Sequence, residues 1–206
     1  MAEVGILGGT FNPPHIGHLV MVQEALDQLA LDRVVLMPVA QPPHKELLAD
    51  PGADVRLDLC RLAAAGDERV EVSDFEIRRG GASYTVDTLR ALHERVPEHS
   101  LTFIVGGDMA HSLPSWREPE AVLELARLAV AEREDLRREE IAERLAPLHS
   151  GDRVLFFDMP RLDISSSGIR GRVATGRPIR YLVPEPMAEA IRDRRLYPRA
   201  AGRPAA

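Results

Sequence analysis

His15 and His18 stand three residues apart in the stretch Gly8-Gly9-Thr10-Phe11-Asn12-Pro13-Pro14-His15-Ile16-Gly17-His18. That spacing puts two imidazoles on one side of a helix start. An apolar run (Val4, Ile6, Leu7) ending in Gly8-Gly9 reads as a buried strand. Two prolines then break the backbone, and Leu19, Val20, Val22, Leu26 and Leu29 continue as an amphipathic helix. Strand, glycine turn and helix start together turn backbone N–H groups and a helix N-terminus toward a bound phosphate. The chemistry this suits is an anion that gains charge during a reaction. Metal ligation is the weaker alternative: no third ligand stands at helical spacing, and the Glu of a His-Glu-x-x-His pattern is missing.

A second group is Ile164-Ser165-Ser166-Ser167-Gly168-Ile169-Arg170, which follows Pro160 and leads into a helical pattern (Ile169, Val173). Serines at a helix start act as caps, and the free N–H groups of the first turn bind anions. Arg170, one turn in, can fork onto phosphate oxygens. Taken alone, this segment reads first as an ordinary capped helix with a surface arginine.

The elements that must position these groups alternate along the chain. Strand candidates are residues 4–7, 34–38, 70–72, 101–105, 128–131 and 154–157; helical stretches are 17–29, 54–65, 85–96, 119–126 and 136–145. Such alternation implies parallel strands joined by right-handed crossovers. The fold expected is a Rossmann-like three-layer α/β domain, with a mostly parallel sheet and helices on both faces. Leu101-Thr102-Phe103-Ile104-Val105 is nearly continuous in apolar residues, as strands covered on both faces are. Ligands then collect at the carboxyl ends of the strands, where most of the polar motifs fall. Residues 132–144 carry dense mixed charge and read as a solvated helix with i,i+4 pairs. Residues 47–53 read as an exposed loop able to close over a ligand.

Composition bounds the rest. At 206 residues the chain is expected to form one domain over 1–197, with 198–206 a disordered tail. Hydrophobic content of 45% and charged content of 28% are those of a soluble globular protein. A net charge of -6 and only 4% aromatic residues argue against a nucleic-acid partner. Local basic residues still allow polyphosphate binding. The single Cys60, in an apolar helical pattern, is expected to be a buried thiol; it excludes an intrachain disulfide and fits a reducing compartment. No signal-peptide pattern is visible, and no apolar run approaches the ~20 residues that span a bilayer. A cytoplasmic location without a membrane partner follows as the expectation, and self-association into a homo-oligomer stays open.

Together the two phosphate-binding segments resemble the paired signatures of the nucleotidyltransferase superfamily, Gly-Gly-Thr-Phe-Asp-Pro-x-His-x-Gly-His and Ile-Ser-Ser-Thr-x-Ile-Arg. Pro42-Pro43-His44-Lys45 looks like the Pro-His-Lys loop of bacterial nicotinate-nucleotide adenylyltransferases. Ser83-Tyr84-Thr85-Val86-Asp87-Thr88-Leu89 resembles that family's Ser-Tyr-Thr-x-Asp-Thr-Leu motif. Gly106-Gly107-Asp108 with Trp116 is similar to its Gly-x-Asp…Trp segment, and Tyr181-Leu182-Val183-Pro184 fits its C-terminal pattern. Three departures are visible. Asn12 stands in place of Asp, Ser167 in place of Thr, and Arg117 follows the Trp where some members carry an aromatic.

The resemblance implies an enzyme joining ATP to nicotinate mononucleotide, with release of pyrophosphate. Rival readings are an adenylyltransferase for nicotinamide mononucleotide or phosphopantetheine, and a non-catalytic nucleotide-binding regulator. The implied catalytic groups are His15, His18 and Arg170. ATP would meet Gly8, Gly9, Thr10, Phe11, His15, His18, Gly106, Asp108, Ser165, Ser166, Ser167 and Arg170. Nicotinate mononucleotide would meet Asn12, His44, Lys45, Thr85, Trp116 and Arg133. Trp116 is implied to stack on the pyridine ring, although a lone tryptophan is more often part of a core. Thr85 and Asp108 carry competing readings as helix caps. Mg²⁺ is expected on the ATP oxygens, with no protein metal ligand.

Overall fold

The computed structural model of the chain describes residues 1–42, 49–132, 138–148 and 151–198. Six strands form one sheet: β1 (Glu3–Gly9), β2 (Arg33–Pro38), β3 (Val70–Val72), β4 (Ser100–Gly106), β5 (Arg127–Glu132) and β6 (Val154–Asp158). Their order across the sheet is β3-β2-β1-β4-β5-β6, and every pairing is parallel. All six expected strands are present.

Each inner strand is apolar on both sides because both faces are covered. On one face Val4 and Ile6 of β1, Leu101, Phe103 and Val105 of β4, and Leu128 and Val130 of β5 share a cluster. That cluster is covered by α4 (Thr85–Arg95), α6 (Pro119–Leu125) and α7 (Arg138–Leu145). On the other face Leu7, Val34, Leu36, Ile104 and Ala129 pack against Met21, Val22, Ala25 and Leu26 of α1 (Ile16–Gln28). A third cluster joins α2 (Ala53–Ala64) to α8 (Ser166–Ala174) and α9 (Glu185–Asp193). The alternation of faces along each strand is the period of two that a pleated strand imposes.

The sheet's order reverses beside β1: the chain runs outward through β2 and β3, then returns to β4 on the other side. The crevice at the carboxyl ends of β1 and β4 is therefore the place where a doubly wound sheet binds ligands. Among the described residues no helix is long and apolar enough to cross a membrane.

Differences from the sequence reading concern helices. The short α3 (Phe75–Arg79) and α5 (Gly107–Ser112) are too brief to show a helical period, and α9 follows the Tyr181–Pro184 motif without an expectation of its own. The charged run is corrected in part. Ile141 and Leu145 of α7 are fully buried, so this helix covers the sheet instead of standing in solvent. Its Arg138 pairs with Glu132 and with Asp158 at the ends of β5 and β6, across elements and not at i,i+4 spacing. Ala53, placed in the exposed loop, instead opens α2; residues 47–48 and 199–206 lie outside the described residues. Cys60 is fully buried, and that burial pushes its thiol up to about 12 against the opposing pull of the Arg56 charge.

Candidate active site

The turn after β1 places the two histidines. Gly9 ends the strand, and a Cβ there would lie 3.1 Å from the ring of Phe11, inside ordinary contact of about 3.5 Å. Phe11 itself is buried with φ of 49°, a left-handed conformation that non-glycine residues rarely adopt. His15 is the N-cap of α1 and is 5% exposed. Its ring lies 3.8 Å from that of His18, and Phe11 meets His18 edge-on at 5.1 Å. Gly17 allows this stacking, since a Cβ there would lie 3.1 Å from His15 Nδ1.

The backbone N–H of His15 donates to His18 Nδ1 at 3.2 Å. An Nδ1 that accepts a hydrogen bond carries no proton, so a neutral His18 holds its proton on Nε2. The ring is half-buried at the helix start.

The serine segment meets this turn directly. Ser165 caps α8 and accepts from the Gly168 N–H at 3.1 Å, while Ser166 Oγ donates to the Pro13 carbonyl at 2.8 Å. Arg170 Nη1 donates to the Asn12 carbonyl at 2.7 Å. Ser167 Oγ lies 3.2 Å from Ser165 Oγ. Two helix N-termini therefore stand against one turn, and the partial positive ends of both macrodipoles favour an anion beside it.

On the other face, Trp116 packs half-buried against the core, with its ring edge-on to Phe103 at 6.1 Å. Its Nε1 donates to Ser112 Oγ at 2.9 Å. Phe103 is also the ring that a Cβ on Gly8 would meet, at 3.2 Å, so a single aromatic separates Trp116 from the end of β1. Thr85 is the first residue of α4, and Tyr84 holds the cap position. The Arg117 guanidinium covers the Tyr84 ring at 5.0 Å and pairs with Asp87 at 3.3 Å, which ties the Trp116 segment to the first turn of α4.

Gly106 caps α5, and Asp108 is exposed in that helix's first turn, so the cap reading of Asp108 is set aside. His44, Lys45 and Arg133 lie outside the described residues. Among the described residues no group of three or more His, Cys, Asp and Glu could hold a metal ion.

Two polar residues here escaped the sequence reading. Arg56, within α2, is fully buried, and Glu76, within α3, is 5% exposed. Thr88 donates to Glu76 Oε1 at 2.6 Å, and Glu76 Oε2 is buried without a hydrogen-bond partner. A signal existed for Arg56: it shares a helical face with Leu59, Cys60 and Ala63, all buried, and a charge on such a stripe is rare unless paired.

Known proteins resemble this chain in sequence and in fold. The model of the family described as cytidylyltransferase-like matches residues 6–172. A protein of Exiguobacterium sibiricum named "Probable nicotinate-nucleotide adenylyltransferase" is 42% identical over 195 residues, covering 95% of this chain and 98% of its own. One of the same name from Rubrobacter xylanophilus is 39% identical, covering 95% and 92%. Among solved structures, Plasmodium falciparum nicotinic acid mononucleotide adenylyltransferase complexed with NaAD superposes with a TM-score of 0.79 at 18% identity. It covers 96% of this chain and 98% of that one. At that identity the likeness is one of fold.

Proposed function

The chain belongs to the bacterial nicotinate-nucleotide adenylyltransferases, and we propose here how its residues carry the transfer. The enzyme transfers the adenylyl group of ATP to nicotinate mononucleotide, giving nicotinate adenine dinucleotide and pyrophosphate in NAD biosynthesis.

The observation that carries our reading is the contact between the starts of α1 and α8. Ser166 and Arg170 both bond to carbonyls of the turn that leads into His15. The triphosphate lies across these two helix N-termini, with Thr10, Ser165, Ser166 and Arg170 toward its β- and γ-phosphates. Gly8, Gly9, Phe11 and Ser167 shape the same pocket. Gly106 and Asp108, at the end of β4, face the adenosine side.

A 5′-phosphate oxygen of the acceptor attacks the α-phosphorus in line. The bond from that phosphorus to the β-bridging oxygen breaks, and pyrophosphate leaves. No strong base is needed, because a phosphate monoester with a second pKa near ~6 is mostly dianionic at neutral pH. Catalysis then comes from positioning and from donors aimed at charge that grows in the transition state. His18, with its Nδ1 occupied by the His15 N–H, supplies such a donor from Nε2. His15, held against it, supplies the second.

The acceptor's carboxylate is held by N–H groups at the start of α4 near Thr85 and beside Trp116, whose indole stacks on the pyridine. Asn12, His44, Lys45 and Arg133 complete the acceptor side. Mg²⁺ carried with ATP would supply counter-charge to the triphosphate; among the described residues no group of three or more His, Cys, Asp and Glu could hold a metal ion. We place the enzyme in the cytoplasm, with small-molecule substrates as its partners and neither nucleic acid nor membrane among them.

The test is pyrophosphate release from ATP with nicotinate mononucleotide, nicotinamide mononucleotide or phosphopantetheine as acceptor. Fastest turnover with the nicotinate acceptor is expected. Preference for phosphopantetheine would overturn the reading.

A further inference from the structure

The side chain of Arg56 leaves α2 and enters the protein below the carboxyl ends of β1 and β2, with 0% exposure. Four of its hydrogen bonds are made there. Nη1 donates to the Thr10 carbonyl at 2.9 Å and to the Val39 carbonyl at 2.8 Å. Nη2 donates to the Ala40 carbonyl at 3.0 Å, and Nε donates to Asp50 Oδ1 at 3.0 Å.

A buried guanidinium is a poor device for stability alone. Taking the charge out of water offsets most of what the pairing returns, and apolar replacements of such pairs are often neutral or stabilising. What the charge does supply is a rigid, planar fork with fixed donor directions. Here the fork grips three carbonyls, all just beyond strand ends at which a sheet of this kind binds ligands.

The grip on Thr10 has a direct consequence. In a trans peptide the C=O and the following N–H point to opposite sides. Holding the Thr10 oxygen toward Arg56 therefore turns the Phe11 N–H the other way, in the residue whose φ is 49°. Arg56 fixes the orientation of the phosphate turn at its least relaxed residue.

The grip on Ala40 extends this to the other substrate. While its carbonyl is held by Arg56, the Ala40 N–H donates to Ser83 Oγ at 3.2 Å. The Ser83 N–H donates in turn to the Gln41 carbonyl at 3.0 Å. Ser83 lies two residues before Thr85, the first residue of α4.

We propose that Arg56 is a positioning residue for the transfer, which holds the Thr10 turn in register with the start of α4 through Ala40 and Ser83. The proposal rests on the placement of the two substrates given above. It adds to that placement a residue that touches neither substrate.

The test is a double-mutant cycle between Arg56→Lys and Ser83→Ala, with kcat, both KM values and thermal unfolding measured for every variant. Arg56→Lys is expected to raise both KM values and to lower kcat/KM by about tenfold to a hundredfold, as a misplacement near 1 Å does. Ser83→Ala is expected to raise the acceptor KM more than the ATP KM. The double variant should fall less than the product of the two single losses, because both changes cut one line of bonds. Calorimetric binding of ATP without acceptor, expected to be several-fold weaker in Arg56→Lys, reads the Thr10 grip whatever the acceptor is.

Losses that follow only the folded fraction, with both KM values unchanged, would overturn the proposal, and so would strictly multiplicative losses. Should Arg56→Lys fail to fold, Asp50→Asn takes its place in the cycle under the same criteria. Absence of turnover by the parent enzyme with nicotinate mononucleotide would strike the functional reading instead, and leaves the ATP-binding comparison to decide on Arg56.

Discussion

Arg170 Nη1 donates a 2.7 Å hydrogen bond to the backbone carbonyl of Asn12, 158 residues earlier in the chain. The residue that would fork onto the triphosphate thus also braces the turn that precedes His15. A planar guanidinium with five donors can do both, since one bond to Asn12 leaves other N–H groups for phosphate oxygens.

Arg170→Ala should therefore raise the KM for ATP and leave the acceptor KM nearly unchanged, with some loss of kcat as the turn relaxes. Charge-assisted hydrogen bonds contribute about 1.5–3 kcal/mol, so the expected rise in the ATP KM is at least about tenfold. Steady-state kinetics with each substrate varied in turn checks this. A selective loss of acceptor affinity would reverse the placement of the two substrates.

Acceptor selectivity follows from the start of α4. In the placement we propose, N–H groups at the first turn of α4 and near Trp116 would suit a carboxylate, whereas an amide would set an NH₂ donor against one of them. That mismatch costs on the order of 1–3 kcal/mol, or roughly tenfold to a hundredfold in kcat/KM. Trp116→Ala should weaken nicotinate and nicotinamide mononucleotides alike, because stacking does not distinguish acid from amide. Equal kcat/KM for the two acceptors in the parent enzyme would contradict this assignment of the carboxylate site.

Glu76 gives the fold a pH dependence. Burial pushes its carboxyl pKa up, against the hydroxyls of Thr88 and Ser83 and the charge of Arg79. A carboxyl raised on folding stabilises the native state fully below its unfolded value, and that stability is lost as pH climbs through the folded value. Glu76→Gln, fixed in the neutral form, should therefore melt at a higher Tm than the parent at pH 8. The gap should close as pH falls toward the ordinary glutamate value of about 4.3. A gap that does not change with pH, measured by calorimetric scans, would show that burial does not govern this group.

The sheet was readable because each inner strand is covered on both faces and so appears as an apolar run; Leu101 to Val105 is the plainest case. The histidine and serine segments were readable because a glycine turn and serine caps are local chemistry. Arg56 and Glu76 were not, because what defines them is their partners: carbonyls of Thr10, Val39 and Ala40 for one, and Thr88 for the other. Helix α9 could have been found. Pro184 at its cap, Pro186 in its first turn and the i,i+4 pair Met187 and Ile191 are start and face signals just after the Tyr181–Pro184 motif. The charge density of α7 hid its two buried residues, Ile141 and Leu145, one turn apart.

The most direct test of the account is His18→Ala, measured for both kcat and ATP dissociation constant. His18 is read as a donor to charge that develops only in the transition state, so its loss should act on the chemical step and spare ground-state binding. Removal of one such donor lowers kcat by ~10²–10³, and the ATP dissociation constant should change far less. Near-normal kcat at saturating substrates, or an equal loss in ATP affinity, would contradict a catalytic role for the His15–His18 pair.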